Sequence, residues 1–269
     1  MISVIAPCLN EEKHLRVFLD SLLHQTFKDF EVIIIDGGSM DHSLFIIKDY
    51  FNRLDMKVLV DPTRNFGYIR NVGASHAQGE IMLHCNTDNY LEPKLLEKLN
   101  QYYQEHPEAI SVSGRIFPLG TNVMAHLGYQ LFDFFRFAFT CAPMPIKKYR
   151  PSGNFMSIRS KVFRAVGGHP EVRANEDGLF GMKLDPYARK NHKAVVFSLQ
   201  LYVGHWVKKF EEMGGVQAIL FYFYTLTNFF PMLKPLLKSI LSNAELVFEG
   251  KQPQHLTFSQ LLSGFWNWL

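Results

Sequence analysis

Apolar and polar positions change period repeatedly along this chain, and each change marks an element. Residues 3–6 form a short apolar run, and over residues 11–24 Leu15, Phe18, Leu19, Leu22 and Leu23 recur at helical spacing. Asn10 is placed to cap that helix, with Glu11 and Glu12 suited to the positive end of its dipole. Residues 31–35 read as a second strand, apolar from Val32 onward and so expected to be covered on both faces. Asp36-Gly37-Gly38-Ser39 ends it. A helix through Leu44, Ile47 and Phe51 leads to a third strand at 56–60, and a helix at 68–77 precedes a strand ending at Cys85. Pro93 opens a helix whose Leu95, Leu96, Leu99, Tyr102 and Tyr103 share one face, and residues 110–116 return as a strand. Such alternation predicts an α/β fold with right-handed crossovers and a mostly parallel central sheet carrying helices on both faces.

The pattern shifts after Pro118. Residues 123–142 are rich in phenylalanine yet carry Asp133 and Arg136, which predicts an amphipathic helix and a loop. A strand at 154–158 and a helix at 160–166 follow, the helix stopped by Gly167-Gly168. A polar helix then opens on Glu176 and Asp177, and a strand is expected at 194–198. Residues 217–241 contain about sixteen nearly uncharged residues, short of the roughly 20 a membrane-spanning helix needs and broken by Pro231. An apolar helical tail lying at a membrane interface is expected, with Lys208, Lys209, Lys234 and Lys238 meeting anionic headgroups. Its alternative is packing against the domain or in a homodimer.

Composition narrows the picture. A chain of 269 residues suits one large α/β domain with a tail, and 28 basic against 25 acidic residues, net +3, are too balanced for a general nucleic-acid binder. Three cysteines, Cys8, Cys85 and Cys141, make neither a disulfide framework nor a CxxC knuckle, which fits a reducing cytoplasmic setting. The chain runs from Met1 straight into a strand without a basic n-region, so no signal peptide is expected. The expected location is cytoplasmic, with the tail peripheral on the cytoplasmic face of the membrane. No Gly-x-Gly-x-x-Gly or P-loop string is present, which argues against dinucleotide and P-loop chemistry.

The candidate chemistry gathers at strand ends. Residues 79–85 are an apolar run that stops at Asn86-Thr87-Asp88, and in an open parallel sheet ligands bind beyond the carboxyl ends of strands. Asp88, helped by Asn86, can offer hard oxygen ligands to Mg2+ or Mn2+, and such a cation bridges two phosphates. Asp36 can accept hydrogen bonds from a base or ribose, while Gly37 and Gly38 let backbone approach closely. Glu176-Asp177 at a helix start can serve as general base on an acceptor hydroxyl, and His205 can complete a metal or phosphate site. Plainer accounts exist for each piece: a turn, a capping pair, a core histidine. The order of the pieces argues against coincidence.

In that order the chain resembles a family 2 glycosyltransferase of the GT-A fold. The resemblance rests on residues 4–12 (Val-Ile-Ala-Pro-Cys-Leu-Asn-Glu-Glu), the strand end 31–39, Arg70-Asn71-Val72-Gly73, and Gly79-Glu80 leading to Asn86-Thr87-Asp88. Ser152-Gly153-Asn154-Phe155, Val166-Gly167-Gly168-His169, Asn175-Glu176-Asp177-Gly178 and His205 extend it to about residue 210. It implies a catalytic domain over 1–210, with 1–117 binding the nucleotide sugar and 118–210 the acceptor, and a tail over 211–269. It also implies an inverting transfer from a UDP- or GDP-linked sugar to a glycan hydroxyl or a polyprenyl phosphate. Pro7, Asn10, Glu11, Asp36 and Gly38 would line the nucleoside pocket, and Arg70, Asn86 and Thr87 would lie near diphosphate or sugar. Asp88 with His205 would hold Mg2+ or Mn2+, and Asp177, with Glu176 beside it, would be the base. One departure stands out: the family's Asp-x-Asp is here Asn86-Thr87-Asp88, so weaker metal dependence, or altered nucleotide choice, is expected. Two rivals remain, a nucleotide-sugar-binding domain with little turnover and a nucleotidyltransferase.

Overall fold

The computed structural model describes residues 1–143, 147–173 and 175–207. In chain order the elements are β1 (Ile2–Cys8), α1 (Leu15–Leu23), β2 (Phe30–Asp36), α2 (Ser43–Lys48), β3 (Met56–Val60), α3 (Phe66–Ser75), β4 (Ile81–His84) and β5 (Asn89–Leu91). There follow α4 (Leu95–Glu105), β6 (Ala109–Leu119), α5 (Val123–Cys141), β7 (Met156–Arg159), α6 (Ser160–Ala165), α7 (Glu176–Lys190) and β8 (Ala194–Trp206). Two compact units are distinguished: Met1–Leu119 with Arg136–Trp206, and a second that contributes Gly120–Phe135 and Val207 among the described residues. The apolar tail and its lysines lie outside the described residues. Among those described, no helix is long and apolar enough to cross a membrane.

The larger unit is an eight-stranded sheet in the order β3-β2-β1-β4-β7-β6-β8-β5. β1 pairs in parallel with both β2 and β4, β2 with β3, and β6 with β8. β4–β7, β6–β7 and β5–β8 are antiparallel. The sheet is thus mixed, and its parallel half is the one the strand-helix alternation predicts. Right-handed crossovers from β1 to β2 to β3 put α1 and α2 on one face, and the return from β3 to β4 puts α3 on the other. Side chains obey that division. Ile5, Ile33, Ile35 and Met82 share one buried cluster with Ile69 and Ala74 of α3, Phe163 of α6 and Phe180 and Leu184 of α7. Val4, Val32 and Ile34, alternate positions that point the other way, are equally buried, as is the apolar face of α1 formed by Leu15, Phe18, Leu19 and Leu22. Each such side chain withdrawn from water contributes about 1.5–3 kcal/mol.

Three expectations need correction, and one strand was not foreseen. Asn10 does not cap α1: the helix starts at Leu15 after His14, which makes no side-chain cap bond. Asn10 instead takes a left-handed backbone, φ 53°, because its N–H donates to Ser39 Oγ and its Oδ1 accepts from Met40 N, both at 2.9 Å. The amides of Glu11 and Glu12 are likewise claimed by Ser43 Oγ and Asp41 Oδ2, so residues 10–12 lock to the loop after β2 rather than to a helix. Second, β8 continues from 198 to Trp206; Gly114 opposes Ser198 but Arg115 opposes Tyr202, a bulge that hides the strand's length from its periodicity. Third, α5 fills Val123–Cys141 without the expected loop. The unforeseen element, Asn89–Leu91, is a strand only because β8 offers it a partner.

Candidate active site

The register of β1 on β2 sets Cys8 beside Asp36, so two loops leave the sheet side by side. Asp36 is fully buried, and its carboxylate is the post around which the second loop turns: Oδ2 accepts from Gly38 N and Ser39 N at 2.9 Å, and Oδ1 from Ser39 Oγ at 2.5 Å. Gly38 allows this with φ 86°, a region that side-chain-bearing residues seldom occupy. A carboxylate offers about four lone-pair sites, so the turn leaves room for one further donor. Pro7 closes the third side, its carbonyl accepting from Thr87 Oγ1 at 3.0 Å. Pro7, Asn10, Glu11, Asp36, Gly38 and Thr87 therefore meet along one edge, at the carboxyl ends of β1, β2 and β4.

Arg70 organises the next part. Carried by α3 and only 2% exposed, its guanidinium donates from Nε to Glu176 Oε1 (3.2 Å), from Nη1 to Cys85 O (3.3 Å), and from Nη2 to Asn86 Oδ1 (2.8 Å) and Gly153 O (3.1 Å). One side chain thus ties α3, the end of β4, the 152–155 turn and the start of α7. Gly153 in turn donates its N–H to Asp177 Oδ2 at 2.7 Å, while Asp177 Oδ1 accepts from Gly178 N at 2.7 Å. The two acidic neighbours differ: Glu176 is buried against Arg70, and Asp177 is the more open. Burial, followed by the adjacent Asp177 charge, pushes the Glu176 carboxyl up to about 7, against the opposing pull of Arg70.

Asp88 and His205 form the third part. The β5–β8 pairing sets His205 across from Asn89, Nδ1 to Oδ1 3.1 Å, and His205 Nδ1 lies 3.3 Å from Asp88 Oδ1. Trp206 N donates to Asp88 O at 3.1 Å, and the Trp206 ring stacks on His14 with centroids 4.9 Å apart. Asp88 offers an anionic oxygen to a divalent cation, but His205 Nδ1 donates to Asn89 Oδ1, so the imidazole would ligate only through Nε2 or by giving up that bond, and among the described residues no three histidine, cysteine or acidic side chains gather into a metal cluster. A cation held here would complete its shell from other oxygens, as Mg2+ does with substrate phosphates and water.

Buried Cys8 and Cys85 thiols are each pushed up to about 12, chiefly by burial, which removes both as nucleophiles near neutral pH. Sequence reasoning missed Asn89 entirely, since only the β5–β8 pairing brings it to His205. It quoted His169 only within a motif and did not foresee its buried pairing with His84, ring centroids 5.0 Å apart. Burial, then nearby Arg70, lowers His169 to about 3 against the opposing pull of the Glu176 backbone, and burial, then His169 and Arg70, holds His84 well below the usual histidine value.

A parallel half-sheet with its loops gathered at strand ends, continued by an antiparallel half that returns an acidic pair and a histidine to the same edge, defines the class: an α/β fold of the GT-A type. Residues 3–166 match the family described as Glycosyl transferase family 2, and the chain belongs to that family. The poly(ribitol-phosphate) beta-N-acetylglucosaminyltransferase TarS of Staphylococcus aureus is 36% identical over 108 residues, 39% of this chain and 19% of TarS. Glycosyltransferase GlyA of Streptococcus pneumoniae is 33% identical over 113 residues, 41% of this chain and 16% of GlyA. The matches thus span under a fifth of either relative. Among solved structures, S. aureus TarS 1-349 in complex with UDP aligns with a TM-score of 0.60 at 22% identity, over 88% of this chain and 65% of that one. The Pyrobaculum calidifontis mannosyltransferase PcManGT in complex with GDP-Man and Mn2+ aligns at 0.65 and 17% identity, over 92% and 69%. At these identities the structural likeness establishes the fold alone.

Proposed function

We propose that this chain transfers a sugar from a UDP- or GDP-linked donor to an acceptor hydroxyl by a single in-line displacement that inverts the anomeric centre. The observation that carries the reading is the convergence of Asp88–His205 and Asp177 on one sheet edge, with the second carboxylate held by Gly153 N. In this reading Pro7, Asn10, Glu11, Asp36, Gly38 and Thr87 hold the nucleoside, the Asp36 turn supplying shape more than charge. Asp88 and His205 would hold Mg2+ or Mn2+, which, when bound, offsets charge on the departing diphosphate. Asp177 Oδ2 takes the proton from the attacking hydroxyl, and its bonds to Gly153 and Gly178 keep it aimed. Arg70, turned to protein groups, holds the acceptor-side turn against β4, and Glu176 is its counterion.

Two structural neighbours are complexed with UDP and with GDP-Man plus Mn2+, which supports a nucleoside-diphosphate donor and a divalent cation here. A polyprenyl phosphate acceptor would need no base, so Asp177 would then orient it; the apolar tail motivates this variant and a membrane-facing position. The test is to mix the full chain with Mn2+ and a panel of UDP- and GDP-sugars and to follow free nucleoside diphosphate. Turnover with one donor is expected. Binding without turnover would favour the binding-domain reading, and release of a sugar 1-phosphate, the leaving group when the nucleoside monophosphate is what moves, would favour a nucleotidyltransferase.

A further inference from the structure

The family's first aspartate is replaced here by Asn86, whose two amide ends meet different partners. Arg70 has only donors, so the Asn86 atom 2.8 Å from Nη2 has to be the oxygen. That leaves the Asn86 amide NH2 pointing at Asn154, whose facing atom, at 2.6 Å, has to be its own oxygen. Asn154 is further held through its backbone carbonyl by Asn89 Nδ2 at 2.5 Å, and Asn89 Oδ1 meets His205. A chain of three amides therefore runs from Arg70 to His205, and it passes beside Gly153, whose N–H holds Asp177. A carboxylate at position 86 would satisfy Arg70 but would set oxygen against oxygen at Asn154 unless the Asn154 amide turned over.

We propose that Asn86 is a positioning residue, its amide a polar bridge between Arg70 and Asn154 that seats the 153–154 turn and through it the Asp177 carboxylate. The bridge takes the place of a metal or ribose contact for this side chain. The consequence for transfer rests on the glycosyltransferase reading; the bridge itself does not. Asn86→Asp alone can be accommodated if the Asn154 amide turns over to present its NH2, and Asn154→Asp alone leaves an acceptor for Asn86. Only the double variant forces two carboxylates together.

The test is a double-mutant cycle in the full chain, read by thermal unfolding midpoint, nucleoside-diphosphate affinity and kcat. Each single acidic variant is expected to lose about threefold in kcat and the double about 100-fold, well beyond the roughly tenfold of independent sites, with nucleotide affinity changed by less than about threefold. The midpoint should show the same excess loss. If the acidic double fails to fold, Asn86→Ala and Asn154→Ala decide: both remove the same bond, so the alanine double should cost no more than the costlier single. Additive losses in either cycle overturn the bridge. So does an Asn86→Asp variant that mainly changes the affinity for Mn2+, since that makes position 86 a metal neighbour. A wild-type chain that turns over no donor sinks the transfer reading, while the unfolding cycle still decides the bridge.

Discussion

Arg70 and Glu176, 106 residues apart in sequence, meet as a buried ion pair with Nε 3.2 Å from Oε1. The pair is under tension: burial and Asp177 favour the neutral acid, and Arg70 favours the carboxylate. The folded value, about 7, lies above the ordinary 4.5, so between these pH values the folded chain binds more protons than the unfolded one. This contribution is fully present below about pH 4.5 and is lost as pH rises through 7. Glu176→Gln should remove that slope, read as the difference between urea unfolding free energies of the two proteins from pH 4.5 to 7.5. Parallel curves would mean that Glu176 titrates normally.

Gly153→Ala should damage the same junction from the other side. An added Cβ would lie 2.5 Å from Arg70 Nη2 and 3.2 Å from Cζ, and the guanidinium, fixed by its protein partners, has nowhere to move. A loss of about 1–3 kcal/mol is expected, the cost of overpacking, measured by urea unfolding. An unchanged midpoint would show that the turn shifts freely.

Asp177→Asn tests the base. An amide can accept only one of the two backbone bonds that the carboxylate accepts, so a stability loss of about 1–3 kcal/mol is expected. Transfer to a hydroxyl acceptor should fall by about 100-fold or more, the range for loss of a general base, with UDP or GDP affinity nearly intact. Equal losses in rate and affinity would make the residue structural.

Asp88→Ala should abolish the gain in nucleoside-diphosphate affinity that Mn2+ provides, because the proposed site loses its anionic oxygen next to His205. Isothermal titration with and without Mn2+ reads this directly. An unaltered Mn2+ effect would move the metal elsewhere.

His169→Phe should remove part of the chain's acid sensitivity. With its folded value near 3, below the ordinary 6.5, the imidazole binds protons in the unfolded chain first, so stability falls as pH drops from about 6.5 toward 3. Its ring already packs among Phe163, Phe180 and His84, so what phenylalanine forfeits there is the interaction of the imidazole with the Glu176 backbone. A flatter stability profile on the acid side is the expected outcome. A steeper one would show that the imidazole makes a bond that matters.

Much of this arrangement is legible in the order of residues. The apolar runs at β1, β2 and β4 and the helical spacing of α1 follow from burial with period 2 or 3.6, which a chain expresses locally. Polar residues interrupting those runs at Asp36 and at Asn86-Thr87-Asp88 mark strand ends, and strand ends of a parallel half-sheet face one edge. The left-handed Asn10, by contrast, arises from bonds to a loop about thirty residues away. No local pattern announces it.

By itself, then, the sequence determined which segments could be strands and helices, and which carboxylates, amides and histidine stand at their ends, because hydrophobic period and chain punctuation are local properties. Tertiary structure alone decided what those groups do to one another. The family resemblance puts Arg70 near the diphosphate or sugar, and packing turns its donors to Glu176, Cys85 O, Asn86 and Gly153 O. Asn86 looks like a metal site short of one charge, and its partners across the sheet make it a bridge to Asn154. The reason is physical: a buried polar group has to find partners once water is withdrawn, and which partners are within reach is set by the fold, across separations of 15 to 106 residues for Arg70, and not by its neighbours in the chain.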